Sequence, residues 1–213
     1  GLQIATSAQE SNMERNYDAV LWDFGGVITS SPFEAFARFE AANDLPKDFI
    51  RSINATNPDT NAWALFERSE IDAAAFDTAF LSEAEARGHS VRGGDVLALL
   101  AGDIRPEMVA VLHQLIEADY KIGCITNNVK TGSGAGMASG MEKAAAVEAV
   151  MALFSYVIES SKVGIRKPDP EIYKMACKAL DVAPARAVFL DDLGVNLKPA
   201  RALGMATIKV TGT

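Results

Sequence analysis

Short apolar runs recur along the chain, and segments with the helical period of apolar positions separate them. Most of these runs end at a polar residue or a glycine. Continuous apolar runs of this length are typical of strands that are buried on both faces of a parallel sheet. The pattern therefore predicts strands at 19–22, 122–126, 156–159, 187–190 and 206–210.

Helical patterns lie between these predicted strands. One begins at Arg105-Pro106-Glu107, where proline at an early helical position favours a helix start. Others are predicted at 141–153, 167–180 and 196–203. Because strands and helices alternate, we predict an α/β fold with a doubly wound, Rossmann-like parallel sheet.

The segment 33–101, between the first two predicted strands, has a helical pattern throughout. Aromatic residues recur in it at helical or longer spacings, namely Phe33, Phe36, Phe39, Trp63, Phe66, Phe76 and Phe80. Helical spacing explains them as the core of a small helical bundle, in preference to a cage around a ligand. We predict a helical domain at 33–101, a sheet domain made of 17–32 and 102–213, and a polar N-terminal tail at 1–16.

One glycine-rich stretch, KTGSGAGMASG at 130–140, resembles a phosphate-binding loop. It lacks the G-K-[ST] ending of a P-loop and does not satisfy G-x-G-x-x-G. We therefore predict a mobile surface loop, with contact to a partner protein as the less favoured interpretation.

The amino-acid composition limits the classes of binding partner and the cellular compartment that we expect. The 213 residues carry a formal net charge of −8, which disfavours a nucleic acid or an anionic membrane as the main partner. Cys124 and Cys177 lie in apolar segments without metal-ligand spacing, so buried free thiols are predicted, in preference to a zinc site or a disulfide. Free thiols favour a reducing compartment. With no signal-peptide pattern at 1–16 and no apolar run of about 20 residues, we predict a cytoplasmic location.

The candidate chemistry lies where the predicted strands end. Parallel sheets bind ligands beyond the carboxyl ends of their strands. The polar residues at those ends are Asp23, Thr126, Asn127, Asn128, Asp191 and Asp192, and Lys167 lies on a loop after the third strand. Clustered carboxylates without His or Cys suit Mg²⁺, and an aspartate beside a bound phosphoryl group can act as a covalent nucleophile.

Four motifs carry a family resemblance. They are WDFGGV, CITNN, GIRKPDPEIY and VFLDDLGVNLKPARALGM, in this order. Together they resemble the haloacid dehalogenase-like (HAD) superfamily over about residues 18–210, and the last two resemble the phosphatase domain of soluble epoxide hydrolases in particular. The resemblance implies a HAD core with a small inserted helical cap and a phosphorylated small molecule as substrate.

The same resemblance implies roles for individual residues. Asp23 would be the nucleophile and a Mg²⁺ ligand, with the carbonyl of Gly25 as a second ligand. Asp192 would bind the metal, and Asp191 would be a ligand or would orient a metal-bound water or Lys167. Thr126 and Lys167 would hold the transferred group. Apart from the resemblance, Asn127 and Asn128 are candidate substrate contacts because they follow the second strand, and a turn-forming role stays open for Asn128. Asn196 falls where many members carry an acidic residue. Apart from the resemblance, the acidic composition implies that a highly anionic substrate would need Lys167, the metal and Arg166 to offset repulsion.

Gly25 departs from the family pattern. Most phosphatases of the family have a second Asp there, which protonates the leaving group, and a glycine has no proton to give. Three interpretations stay open. The favoured one is a Mg²⁺-dependent phosphatase with slow turnover. The others are a weakly catalytic phosphate-binding or regulatory module and a dehalogenase-type hydrolase. The substrate and the oligomeric state are not specified by the sequence.

Overall fold

The computed structural model describes residues 15–130 and 137–211. Within them, five parallel strands form one sheet in the order β3-β2-β1-β4-β5. The strands are β1 (Ala19–Trp22), β2 (Lys121–Thr126), β3 (Tyr156–Glu159), β4 (Ala187–Asp191) and β5 (Ala206–Lys209). The predicted strands are confirmed. Because β1 lies between β2 and β4, the residue that follows β1 is placed at the middle of the sheet edge.

Helices cover both faces of this sheet. In β1, Leu21 packs into a core with α9 (Pro170–Ala179) and α10 (Gly194–Ala202), whereas Val20 and Trp22 pack into a second core with α6 (Pro106–Glu117) and α7 (Met137–Met151). Alternate residues of a strand point to opposite faces, so the two cores lie on opposite sides of the sheet. The doubly wound α/β fold is confirmed.

A helical insertion separates β1 from β2. It consists of α1 (Pro32–Ala42), α2 (Phe49–Ala55), α3 (Ala62–Glu67), α4 (Ala73–Glu85) and α5 (Gly93–Leu97). Side chains cap several of these helices, as where Ser31 accepts a hydrogen bond from Phe33 N and Asn61 accepts one from Ala64 N.

The predicted aromatic core of this insertion is confirmed. Phe66, Phe76 and Phe80 are buried together, and the ring centroids of Phe66 and Phe76 lie 4.9 Å apart in a stacked arrangement. The domain boundaries at 32/33 and 101/102 stay a prediction. The predicted tail at 1–16 lies outside the described residues except for Arg15 and Asn16.

Two local predictions differ from the structure. Residues 137–140 of the predicted loop at 130–140 belong to α7, because a helix can continue through serine and glycine although both have low helix propensity. The rest of that loop lies outside the described residues, except for Lys130. A short helix, α8 (Ser160–Val163), follows β3 directly and was not predicted.

Both cysteines are buried free thiols, as predicted. Burial raises the pKa of Cys124, and it raises that of Cys177 to about 11, so both thiols stay neutral. Among the described residues, no helix is long and apolar enough to cross a membrane.

Candidate active site

The predicted site residues meet at the carboxyl edge of the sheet. Asp23 directly follows β1, Thr126 ends β2 and Asp191 ends β4. A backbone hydrogen bond of 2.9 Å from Asp23 N to Leu190 O extends the pairing of β1 and β4 to the ends of the two strands, so Asp23 and Asp191 lie side by side. The order of the strands therefore brings together residues that lie far apart in the sequence.

Lys167 lies at the centre of this cluster. Its Nζ donates hydrogen bonds to Asp23 Oδ1 at 2.8 Å and to Asp191 Oδ2 at 2.9 Å, and the side chain is 1% exposed. Burial alone would lower the pKa of Lys167, but the two carboxylates raise it above its ordinary value. Lys167 is therefore a fixed positive charge beside Asp23.

The carboxylates of Asp23, Asp191 and Asp192 outnumber this single cation. Each offers an oxygen, and these oxygens lie within 4.8 Å of one another. Burial, together with the charge of Asp191, raises the pKa of Asp23 to about 7 against the attraction of Lys167. Burial and Asp191 also raise the pKa of Asp192 to about 6. A group of carboxylate oxygens with excess negative charge fits a hard divalent cation such as Mg²⁺.

The adjacent glycines have different structural roles. Gly26 has a φ of +82°, and a Cβ on it would come within 2.4 Å of Asp192 Oδ2. Gly25 is exposed, and a Cβ on it would meet nothing within 4 Å. The backbone therefore requires glycine at 26 and leaves room for a side chain at 25.

We expect Gly26→Ala to lower the free energy of unfolding by about 2 kcal/mol or more. The alanine would have to adopt a left-handed backbone conformation, and its Cβ would clash with the Asp192 carboxylate. Urea denaturation measures the change. Gly25→Ala is the matched control and should stay within about 0.5 kcal/mol of the wild type. Equal losses in the two variants would contradict the distinction between the glycines.

Asn127 and Asn128 hold neighbouring loops in place. The Asn127 amide accepts a hydrogen bond from Lys167 N at 2.8 Å and donates one to Lys167 O at 3.0 Å. The Asn128 amide donates to Glu159 Oε1 at 2.9 Å and accepts from Ser161 Oγ at 2.7 Å. Their role as substrate contacts stays a prediction. The structure shows Asn127 bonded to the backbone of Lys167.

Further residues support Asp191. Asn196 Nδ2 donates to Asp191 Oδ2 at 3.1 Å, and Leu193 N donates to Asp191 Oδ1 at 2.8 Å. Tyr173 OH in turn donates to Asn196 O at 2.5 Å. The sequence pointed to Asn196 only by its place in the fourth motif. Tyr173 ends the third motif, but its position on the apolar face of α9 indicated a core residue and gave no signal for this hydrogen bond.

Comparison with known proteins identifies the family. A model of the haloacid dehalogenase-like hydrolases matches residues 17–204. The chain belongs to the haloacid dehalogenase-like hydrolases. It is therefore a hydrolase, and phosphatases are among its relatives.

Relatives of this hydrolase differ in how much of their length they share with it. It is 32% identical over 201 residues to acyl-CoA dehydrogenase family member 10 of Mus musculus. The match covers 92% of the hydrolase and 18% of that protein. It is 55% identical over 60 residues to bifunctional epoxide hydrolase 2 of Sus scrofa, covering 28% of the chain and 11% of that protein. The predicted resemblance to soluble epoxide hydrolases is confirmed, and the hydrolase spans less than a fifth of either relative.

A relative of similar length is validoxylamine A 7'-phosphate phosphatase of Streptomyces hygroscopicus subsp. limoneus. Identity is 27% over 210 residues, covering 92% of the hydrolase and 87% of that protein.

Solved structures share the fold. A HAD family enzyme from Bacteroides thetaiotaomicron, in complex with magnesium and inorganic phosphate, superposes with a TM-score of 0.59 at 21% identity and covers 92% of this hydrolase and 94% of that chain. L-2-haloacid dehalogenase from Xanthobacter autotrophicus, with chloropropionic acid covalently bound, gives a TM-score of 0.60 at 17% identity. The match covers 91% of this hydrolase and 77% of that chain.

Proposed function

We propose that this hydrolase is a Mg²⁺-dependent phosphatase that acts on a small phosphate monoester through an aspartyl-phosphate on Asp23. The observation that carries the proposal is the buried Lys167 ammonium between Asp23 and Asp191, with Asp192 beside them. A phosphoryl group needs positive charge and a positioned nucleophile, and this cluster offers both once a cation is present. The phosphatases among its relatives support the same reaction.

The nucleophile is held in a defined orientation. Lys167 Nζ and Phe24 N each donate a hydrogen bond of 2.8 Å to Asp23 Oδ1. We therefore assign the attack to Oδ2. It forms a bond to phosphorus while the ester P–O bond breaks, and the departing oxygen takes a proton from solvent because Gly25 has none to give. Water then attacks phosphorus, gives up a proton, and releases inorganic phosphate and the Asp23 carboxylate.

Mg²⁺ would be held by Asp23 and Asp192, with Asp191 and the Gly25 carbonyl as further candidate ligands. When bound, it supplies charge neutralisation at the phosphoryl oxygens. Lys167 would neutralise the same oxygens from the protein side, and Thr126, which is 6% exposed at the end of β2, would hold a phosphoryl oxygen. The helical insertion, residues 33–101, would act as the cap over this edge of the sheet, and the substrate would be a phosphorylated small molecule. The cytoplasmic location stays a prediction that rests on the free thiols.

The proposed metal dependence has a pH signature. Metal binding requires ionised carboxylates, and the metal-free pKa values of Asp23 and Asp192 are raised to about 7 and about 6. Protons therefore compete with the metal, so Mg²⁺ affinity should rise by about tenfold or more from near pH 5.5 to near pH 8. Isothermal titration calorimetry measures it, and Asp192→Asn should weaken binding at both pH values.

The same metal should be needed for turnover. We expect EDTA to remove the hydrolysis of 4-nitrophenyl phosphate and added Mg²⁺ to restore it. A panel of phosphate monoesters, assayed with and without EDTA, is the test of the proposed function. Turnover that is unchanged by chelation would rule out the metal-dependent mechanism, and binding of inorganic phosphate without turnover would favour the phosphate-binding module.

A dehalogenase-type reaction is the second candidate because Gly25 removes the acid that a phosphatase uses. Attack on a carbon–halogen bond needs no divalent cation. Within the described part of the chain, Lys167 is then the only cation paired with the close carboxylates of Asp23, Asp191 and Asp192. Chloride release from 2-chloropropionate in the presence of EDTA would establish this candidate in place of the phosphatase.

A further inference from the structure

Arg166, the residue before Lys167, connects the lysine loop to the helical insertion. Its Nη1 pairs with Glu67 Oε2 at the end of α3, and its Nη2 donates a hydrogen bond of 2.8 Å to Pro58 O in the loop between α2 and α3. Both ends of the guanidinium fork are therefore occupied by groups of the insertion. The sequence had offered Arg166 as a group that offsets substrate charge, and the structure shows it bound to Glu67 instead.

The Glu67 carboxylate is well enclosed. The side chains of Arg166 and Glu67 are 14% and 7% exposed, and Glu67 Oε1 also accepts a hydrogen bond of 2.7 Å from Trp63 Nε1. Burial raises the pKa of Glu67, although Arg166 and Trp63 oppose the shift. Substitution of either residue would leave the other as a buried charge without its partner, so the closed contact depends on both side chains.

Lys167 shares its backbone with this contact. Asn127 binds the N–H and the carbonyl of Lys167 from the side of the sheet, while the preceding residue binds the insertion. The Lys167 side chain then reaches Asp23 and Asp191. A displacement of Arg166 is therefore transmitted through a single peptide unit to the residue that carries the ammonium.

Two linkers, at 29–31 and 102–104, join the insertion to the sheet domain. Thr29 and Ile104 form an antiparallel bridge, and Ser30 N donates to Asp103 O at 2.8 Å. A Cβ on Gly102 would come within 2.7 Å of Ser30 O, so the two linkers lie in close contact. Movement of the insertion about these linkers would have to separate Arg166 from Glu67 or pull the lysine loop with it.

We propose that Arg166 is a positioning residue. The Arg166–Glu67 latch consists of these two side chains together with Trp63 Nε1 and Pro58 O. It holds Lys167 against Asp23 only while the helical insertion is closed. Closure of the insertion and alignment of the ammonium thereby become one event. Ser69 Oγ, which donates to Ser161 O at 2.6 Å, adds to the closed arrangement. The effect of the latch on catalysis rests on the proposed function, whereas the latch as a structural contact does not.

The test compares Arg166→Gln and Glu67→Gln, singly and together. Arg92→Gln is the matched control, since Arg92 pairs with Asp77 within the insertion and does not reach the lysine loop. We expect each latch variant to lower kcat for 4-nitrophenyl phosphate by about 10–100-fold, because small misplacements of a catalytic group have effects of this size. KM should stay within about threefold, since the Lys167 contact strengthens in the transition state.

The energetic coupling between the two substitutions distinguishes loss of the latch from general destabilisation of the protein. The double variant should lose no more activity than the worse single variant, because both substitutions break one contact. Arg166→Lys keeps the charge but not the fork and should recover only part of the activity. Additive losses, a comparable loss in Arg92→Gln, or activity within about twofold of the wild type in both single variants would overturn the proposal.

Hydrogen–deuterium exchange tests the latch without turnover. In both latch variants, exchange should rise at 56–61 and 164–169, while α4 in the core of the insertion stays protected. If the wild type hydrolyses no phosphate ester, the proposed function fails, and the exchange data still decide whether the latch exists. Unchanged exchange in both loops would show that no latch is present, whatever the activity.

Discussion

Gly25→Asp is expected to raise the turnover of alkyl phosphates by about 10²–10⁴-fold, the usual contribution of a general acid, while 4-nitrophenyl phosphate changes by only a few-fold. An alkoxide leaves poorly without a proton, whereas 4-nitrophenolate leaves as an anion. The structure accepts the change, because a Cβ at Gly25 meets nothing within 4 Å and its φ is not in the left-handed region. Steady-state kinetics on both substrates measure the effect.

Gly25→Asn is the matched control, since asparagine has the shape of aspartate but no acid proton. It should show no gain with alkyl phosphates. Equal gains in the Asp and Asn variants would show that filling the space, and not proton donation, increases turnover. A wild type that already hydrolyses both substrates at similar rates would show that another group supplies the proton.

Asp23→Asn should abolish phosphatase activity, with a loss of at least about 10⁴-fold, because the amide cannot attack phosphorus. The metal-free variant should also be more stable than the wild type near pH 8, by roughly 2 kcal/mol, because it removes a buried negative charge that Lys167 only partly compensates. Loss of activity with gain of stability is typical of a residue that is kept for its chemistry.

The sign of the pH dependence follows from the raised pKa of Asp23. Between about pH 4 and about pH 7, the folded state holds a proton that the unfolded chain has lost, so this group stabilises the fold less as pH rises. The advantage of Asp23→Asn should therefore shrink from near pH 8 to near pH 5, and Mg²⁺ should reverse it. Thermal unfolding with and without Mg²⁺ measures this, with the exposed Glu117→Gln as a control for charge removal alone.

Residual activity above about 1% in Asp23→Asn would place the nucleophile elsewhere. A variant that is less stable than the wild type without metal would contradict the assigned charge imbalance, and would mean that the ion pair with Lys167 outweighs the burial of the carboxylate.

The sequence predicted those parts of the site that strands carry. Asp23, Thr126 and Asp191 each lie at the end of an apolar run, and the parallel arrangement of these runs is enough to bring them to one edge. The helical insertion was predicted for a similar reason, because its aromatic residues follow the helical period that buries them.

Loop contacts had no such signal. Asn127 binds Lys167 across 40 positions of sequence, and Arg166 binds Glu67 across 99. These hydrogen bonds depend on how a loop of irregular backbone meets another loop or the end of a helix, and neither periodicity nor spacing encodes that contact. The sequence therefore indicated which residues could do chemistry at the sheet edge, and the structure added what holds Lys167 in place.

The position of Trp63 gives the latch its own optical reporter. The chain has two tryptophans, and the other, Trp22, is fully buried in the sheet core. Trp63 is half-buried and donates its indole N–H to Glu67, so its emission should respond to water when the insertion moves away from the lysine loop. In a Trp22→Phe background, fluorescence of one native side chain would follow opening and closing in real time, without an added label.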